Sequence, residues 1–166
     1  RALEKQREIR SLFLNTKANV NPLIIVQLPN NSDLLCESVE TYFESQGITA
    51  ENGTLAIWLS NRHENIENIS ENNGKQVAVI MKQAVATGWD CPRAYILVKL
   101  RENMDETFEI QTIGRIRRMP EAKHYGNEVA DCCYLYTFDK KFTEGVKKAL
   151  NKGALDGKDI FQGNWA

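Results

Sequence analysis

Apolar residues along this chain fall into short continuous runs, each of strand length and each followed by a polar segment. Runs of this kind, rich in Val and Ile, are typical of strands that are buried on both faces of a sheet. They predict five strands: LIIVQL (23–28), TLAIWLS (54–60), QVAVIM (76–81), AYILVKL (94–100) and CCYLYTF (132–138). Because helices or long crossovers join these strands, the pattern favours an α/β fold with a mostly parallel central sheet and helices on both sides.

Apolar residues at helical spacing separate several of the strands. They predict helices over residues 1–18, 34–46, 105–118 and 139–150. In the second helix one apolar stripe is expected, formed by Leu34, Leu35, Val39, Tyr42 and Phe43. Gly47 is expected to end that helix. The Asn-rich segment 61–74 predicts a loop with at most a short helix, and the tail 153–166 has no clear period.

Composition narrows the range of functions. The formal net charge is -1, so a site for a polyanion must be a local basic patch. No apolar run approaches the roughly 20 residues of a membrane span, so no membrane association is expected.

The four cysteines form no CxxC pair and the two histidines stand apart, so no metal site is expected. Free cysteines indicate a reducing, cytoplasmic location, and a chain that begins with Arg1 suggests a piece of a longer protein.

The first chemistry-bearing stretch is KQAVATGWDCPRA (82–94), here called the GWD segment, which directly follows a predicted strand. In parallel sheets ligands bind at the carboxyl ends of strands, so a functional stretch is expected to follow a strand. Gly88 permits close backbone approach, and Pro92 stiffens the loop. Asp90 could accept hydrogen bonds from a ribose hydroxyl. The alternative is a surface turn in which Asp90 caps its own backbone.

The second stretch is QTIGRIRRMP (111–120), here called the GRIRR segment. Arg115 and Arg118 are three residues apart and share one face of a helix, and Gln111 lies one turn before Arg115. Gly114 leaves room for a ligand beside them. Two guanidinium groups and an amide on one face suit a phosphate group. The alternative is that the arginines pair with surface carboxylates or are solvated.

Two phosphate-handling motifs are missing from the sequence. There is no GxxxxGK[ST] phosphate loop, and no acidic run follows an apolar strand. If phosphate chemistry takes place at this chain, the chain supplies only half of the site.

In this order, ATGWD and QTIGRIRR resemble motifs V and VI of superfamily 2 helicases, which lie in the second RecA-like domain of those motors. The surrounding words KQAVATGWDCPRAYILV and IGRIRRMP are similar to the Res subunit of type III restriction–modification enzymes. The resemblance covers residues 20–140, and it implies a RecA-like three-layer sandwich. It divides the chain into a helix and linker from a preceding motor domain (1–20), the second RecA-like domain (21–152) and an unassigned tail (153–166).

The resemblance also implies roles for individual residues. The preceding domain would carry the phosphate loop and the Mg ligands, so that ATP and Mg are the implied cofactors. Arg115 and Arg118 match the two finger arginines that stabilise charge on the γ-phosphate in the transition state. Gln111 matches the residue near the attacking water. The implied nucleotide-binding residues are Gly88, Asp90 and Gly114, and the implied nucleic-acid contacts are Lys82, Thr87 and Gln27.

The family implies DNA as the principal partner, contacted through its backbone, together with the preceding RecA-like domain. It further implies a methyltransferase (Mod) subunit, with S-adenosylmethionine elsewhere in the complex. Thr112 and Arg117 depart from the common HRIGRxGR pattern, where an arginine and a glycine stand. A nucleic-acid contact from position 112 is therefore not expected, and three surroundings stay open for Arg117: DNA, a partner protein or solvent. No PD…(D/E)xK set is present, so no cleavage by this chain is expected.

The predicted function is therefore the C-terminal motor domain of an ATP-dependent DNA helicase or translocase. The chain by itself is expected to be essentially inactive in ATP hydrolysis. Two alternatives remain open: another superfamily 2 helicase that acts on DNA or RNA, and a degenerate RecA-like module that binds a partner without hydrolysis.

Overall fold

The structure is a computed structural model, and it describes residues 2–29, 33–59, 61–81, 91–100, 132–137 and 159–163, together with residues 120 and 129. The helices are α1 (Ala2–Asn15) and α2 (Asp33–Ser45). The strands are β1 (Leu23–Gln27), β2 (Leu55–Leu59), β3 (Arg62–Glu64), β4 (Ala78–Met81), β5 (Ala94–Lys99), β6 (Cys132–Thr137) and β7 (Asp159–Gly163).

These strands form one sheet in the order β3-β2-β4-β1-β5-β6-β7. All neighbouring strands are parallel except β2 and β3, which are antiparallel. The prediction of an α/β fold with a mostly parallel sheet is confirmed, and so are the five predicted strands, to within two residues at each end. The carboxyl ends of the parallel strands define the carboxyl edge of the sheet, and their amino ends define the amino edge.

Strand β1 lies at the centre of the sheet, between β4 and β5, and each of its five residues is buried. Ile24 and Val26 belong to a core on one face, and Leu23 and Ile25 belong to a second core on the other. A strand that contacts apolar side chains on both faces needs no polar alternation. This explains why the strand is encoded as a continuous apolar run.

Both described helices cover the same face of the sheet, called here the first face. Ile9 and Phe13 of α1 and Phe43 of α2 belong to the core on that face. The Phe13 ring meets the Tyr95 ring edge to face, with 5.7 Å between the ring centroids. The predicted helices 105–118 and 139–150 lie outside the described residues, so helices on the second face stay a prediction.

The apolar stripe predicted for α2 is wrong in part. Leu34 is 81% exposed, Leu35 36% and Tyr42 52%, whereas Cys36 and Phe43 are buried. The helix therefore turns the Cys36–Phe43 side toward the sheet. A buried free cysteine behaves as a small hydrophobic side chain, and the sequence prediction had left it out of the stripe. Gly47 has φ of +79°, which supports the prediction that it ends the helix.

Two short strands were not predicted. Strand β3 lies in segment 61–74, where a loop with at most a short helix was expected, and pairs with β2 as the second arm of a hairpin. Strand β7 lies in the tail that shows no period and pairs with β6. Both strands occupy ends of the sheet. The three residues of β3 (RHE) are polar and exposed or half-buried, so hydrophobic periodicity cannot reveal it.

The exposure of α2 leads to a prediction about stability. Leu34→Ala should change the free energy of unfolding by less than about 0.5 kcal/mol, because the side chain loses little buried area. Ile57→Val, in the fully buried strand β2, should cost about 0.5–1.5 kcal/mol. Urea unfolding of both variants checks this. A loss of about 2 kcal/mol for Leu34→Ala would mean that the leucine packs in a core after all.

Candidate functional site

The structure describes one of the predicted site residues, Gln27, and the flanks of the others. Lys82, Thr87, Gly88, Asp90, Gln111, Gly114, Arg115 and Arg118 lie outside the described residues. Their described neighbours are Met81 before the GWD segment, Cys91 to Arg93 at its end, and Pro120 at the end of the GRIRR segment. The site can therefore be built from these flanks.

The two ends of the GWD segment lie at opposite edges of the sheet. Met81 is the last residue of β4, and Cys91 lies three residues before Ala94, the first residue of β5. Both strands are parallel to β1, so Met81 lies at the carboxyl edge and Cys91 at the amino edge. The residue before the GWD segment and the residues at its end therefore lie at opposite edges of the sheet, whereas a functional stretch was expected to follow a strand. Residues 82–90 between them lie outside the described residues.

The Arg93 side chain forms four hydrogen bonds at the amino edge, and it has no exposed surface. Its Nε donates to the Ile69 carbonyl (2.7 Å), and its Nη1 donates to the carbonyls of Asn21 and Gln76 (2.8 Å each). Its Nη2 donates to Gln76 Oε1 (3.0 Å). The forked guanidinium group of Arg93, here called the fork, thereby joins three parts of the chain: the residues before β1, the segment before β4 and the start of β5.

Burial has an electrostatic consequence for Arg93. Desolvation lowers the pKa of its guanidinium from 12.5 to about 10, against a smaller raising effect of Cys91. The group still carries its charge at neutral pH, and four uncharged oxygens solvate it in place of water. A buried charge is tolerated when its donors are satisfied in this way.

The Asn-rich segment 61–74 provides part of this arrangement. Asn65 and Asn68 both have φ of +57°, a conformation that asparagine tolerates better than most residues. The Gln76 amide donates to the carbonyls of Asn65 and Glu67, which fixes the Gln76 oxygen toward Arg93. This segment is therefore a hydrogen-bonded support for the guanidinium, and its polarity serves internal contacts.

A glycine is required at position 74 because the Arg93 guanidinium lies too close to leave room for a side chain. A Cβ added at Gly74 would lie 2.7 Å from Arg93 Nη2 and 3.0 Å from Gln76 Oε1. Because four hydrogen bonds hold the fork, the arginine cannot move away without losing them. Gly74→Ala should therefore lower the free energy of unfolding by about 1–3 kcal/mol.

The control for this change is Asn73→Ala, at the neighbouring exposed position, which should stay within about 0.5 kcal/mol of the wild type. Urea unfolding measures both. Equal stability of Gly74→Ala and wild type would show that the guanidinium is not held as described.

A chain of three hydrogen bonds connects the flanks of the two segments. Asn72 Nδ2 donates to the Pro120 carbonyl (2.8 Å), and the Asn21 backbone N–H donates to the Asn72 carbonyl (2.7 Å). The Asn21 carbonyl in turn accepts from Arg93 Nη1 (2.8 Å). Pro120 and Arg93 are thereby tied together at the amino edge. We call this chain, Pro120–Asn72–Asn21–Arg93, the brace.

The carboxyl edge carries two buried polar side chains, Gln27 and Lys99. The register places them side by side on β1 and β5, and Met81 on β4 and Trp58 on β2 continue the row. Gln27 is 2% exposed and its Oε1 has no hydrogen-bond partner, and Lys99 is 1% exposed. A nucleic-acid contact by Gln27 would require this side chain to become exposed. That role stays a prediction.

The connections between strands change faces around β1. Helix α2, which connects β1 to β2, packs on the first face. In contrast, Ile69, between β2 and β4, and Cys91, between β4 and β5, belong to the core on the second face. Gln27 and Met81 lie side by side where β1 and β4 end at the carboxyl edge.

Sequence reasoning did not find Arg93, Asn72, Gly74 or Lys99. A signal existed for two of them: Arg93 and Lys99 are the charged residues in CPRAYILVKL, which is otherwise mostly apolar. A charge inside such a run must be satisfied internally. Asn72 and Gly74 are ordinary loop residues by composition, so nothing in the sequence distinguished them.

The comparisons with known proteins add no family. A scan of the chain against protein-family models gave no match, and a search of curated protein sequences gave none. In the described part of the chain, no group of three or more His, Cys, Asp or Glu residues is placed to hold a metal ion. No helix among the same residues is long and apolar enough to cross a membrane.

Proposed function

We propose that this chain is the second motor domain of an ATP-dependent DNA helicase or translocase, of the kind found in the Res subunit of type III restriction enzymes. The resemblance of the GWD and GRIRR segments to motifs V and VI is the starting point. The observation that carries the proposal is the brace, because it ties the flanks of these two segments together at the amino edge of a mostly parallel sheet. Unrelated surface segments would have no need of such a link.

In this proposal the amino edge faces the nucleotide. Asp90, next to Cys91, interacts with the ribose, and Arg115 and Arg118, just before Pro120, reach the γ-phosphate. Guanidinium groups bind phosphate oxygens with two parallel hydrogen bonds, and these bonds strengthen as charge develops in the transition state. Gln111 orients the attacking water.

The phosphate loop and the Mg ligands belong to the preceding domain in this proposal. This domain would contribute only arginines, an amide and an aspartate. When bound, Mg²⁺ would neutralise charge on the β- and γ-phosphates. This chain would position and polarise the γ-phosphate from the opposite side.

The carboxyl edge is the proposed DNA side. Lys82 follows Met81, the last residue of β4, and in this proposal would contact a phosphate, with Thr87 in the same segment. Such contacts are made to the backbone, so binding should depend little on sequence and should weaken as salt rises. ATP binding draws the two domains together and hydrolysis releases them, and alternating grip on the backbone turns this cycle into movement.

The proposal is tested by ATP hydrolysis in a longer protein that includes the preceding motor domain. Turnover should rise on addition of duplex DNA, and this chain by itself should show essentially none. Stimulation by RNA and not by DNA would instead identify an RNA helicase of the same superfamily. A well-folded longer protein without ATP hydrolysis would contradict the motor and leave a binding module.

A further inference from the structure

We propose that Asn72 is a positioning residue, which sets the distance between the two nucleotide-facing segments through its hydrogen bond to Pro120. This inference rests on the proposed function and extends it to a residue outside both segments. Asn72 lies in the loop between β3 and β4, far in sequence from the GRIRR segment, so the bond is a tertiary contact.

The geometry of Asn72 fits this role. Its side chain donates to the Pro120 carbonyl (2.8 Å), while its own carbonyl accepts from the Asn21 backbone N–H (2.7 Å). One residue therefore holds Pro120 by its side chain and the entry to β1 by its backbone. Proline has no N–H to donate, so its carbonyl is the backbone group available to hold this point of the chain.

The far end of the brace is rigid, and this makes the link effective. Asn21 also donates from Nδ2 to the Gly74 carbonyl (2.9 Å), and its Oδ1 accepts from Gln6 Nε2 (3.2 Å). Gln6 is itself buried and donates to the Pro22 carbonyl as well (3.0 Å). Arg93 holds the Asn21 carbonyl from the other side. This network therefore holds Pro120 through the Asn72 bond.

Position matters here because finger arginines act through short hydrogen bonds to the γ-phosphate. Arg118 is two residues before Pro120, and Asp90 is three before Arg93. A misplacement of about 1 Å can reduce a rate by about a hundredfold. Loss of the neutral Asn72–Pro120 hydrogen bond should displace the GRIRR segment for part of the time. We therefore expect turnover to fall about tenfold.

The first test uses the 166-residue chain and amide hydrogen exchange, followed by mass spectrometry. In Asn72→Ala, peptides covering 111–120 should exchange several-fold faster than in the wild type. Asn72→Asp, which keeps the shape but cannot donate from this position, should behave in the same way. Asn73→Ala, at the adjacent exposed position, is the matched control and should exchange as the wild type does. Unchanged exchange in both Asn72 variants would overturn the brace.

The second test measures ATP hydrolysis in the longer protein that includes the preceding domain. Asn72→Ala should lower kcat about tenfold with the KM for ATP changed less than about twofold, because the lost alignment acts in the transition state. Asn73→Ala should leave both constants unchanged. An unchanged kcat in Asn72→Ala, or an equal loss in Asn73→Ala, would overturn the positioning role.

The two tests separate failure of this inference from failure of the proposed function. If the wild-type longer protein hydrolyses no ATP, the proposed function fails and the positioning role fails with it. Hydrogen exchange then still decides whether Asn72 holds the GRIRR segment. If the wild-type longer protein hydrolyses ATP and the Asn72 variants match it in kcat, the proposed function stands and the positioning role is refuted.

Discussion

Arg118→Ala should nearly abolish ATP turnover in the longer protein, with a fall in kcat of about a thousandfold or more. The KM for ATP should change by less than about threefold. The reason for this split is that a finger arginine forms its strongest bonds to charge that appears only in the transition state. Steady-state kinetics with saturating duplex DNA measures both constants.

Arg117→Ala is the matched control for this prediction. It removes the same charge from the neighbouring residue, which occupies a position without a finger role in the helicase pattern. Its turnover should stay within about threefold of the wild type. If both variants lost activity equally, the arginines would act as a general basic patch. If Arg118→Ala retained wild-type turnover, the finger assignment would be refuted.

Arg93→Met should lower the free energy of unfolding by about 3–5 kcal/mol, the largest effect on stability that we expect. Methionine fills much of the same space but donates nothing. The carbonyls of Ile69, Asn21 and Gln76 would then remain buried with one partner fewer, as would Gln76 Oε1. Urea unfolding with constant slope measures the loss.

Arg93→Lys separates the contribution of the positive charge to stability from that of the four guanidinium hydrogen bonds. It keeps the positive charge but cannot reproduce four bonds to three segments, so we expect about 2–3 kcal/mol of destabilisation. Arg62→Met is the surface control, because Arg62 pairs with Glu40 and Glu64 in solvent, where such pairs contribute about 0–1 kcal/mol. Destabilisation of Arg93→Met below about 1 kcal/mol would contradict the role of the buried guanidinium.

The centre of the fold could be predicted because its physical signal is strong. Strand β1 reads as LIIVQ, and every one of its residues is buried. The orientation of α2 was harder to predict, because Val39 and Phe43 fit two overlapping apolar stripes on the helix. The choice between them depended on Cys36, which is buried, and on Leu34, which is not. Strand β3 consists of three polar residues. It forms because it pairs with β2, and its own sequence carries no hydrophobic signal.

The candidate site was predictable as a pair of segments but not as a place in the fold. A stretch that follows a strand is expected to begin at the carboxyl edge, and Met81, the residue before the GWD segment, lies there. The end of the GWD segment returns to the amino edge, where Cys91 to Arg93 lead into β5. Arg93 could not be foreseen as the anchor there, because most of its acceptors are backbone carbonyls. The direction in which a carbonyl points is set by the tertiary fold.

The decisive measurement is the structure of the longer protein with Mg²⁺ and an analogue of the ATP transition state bound to the preceding domain. We expect guanidinium nitrogens of Arg115 and Arg118 about 3 Å from the oxygens that stand for the γ-phosphate, with the Asn72–Pro120 bond intact. Both arginines beyond hydrogen-bond reach of the nucleotide in the closed state would contradict this expectation.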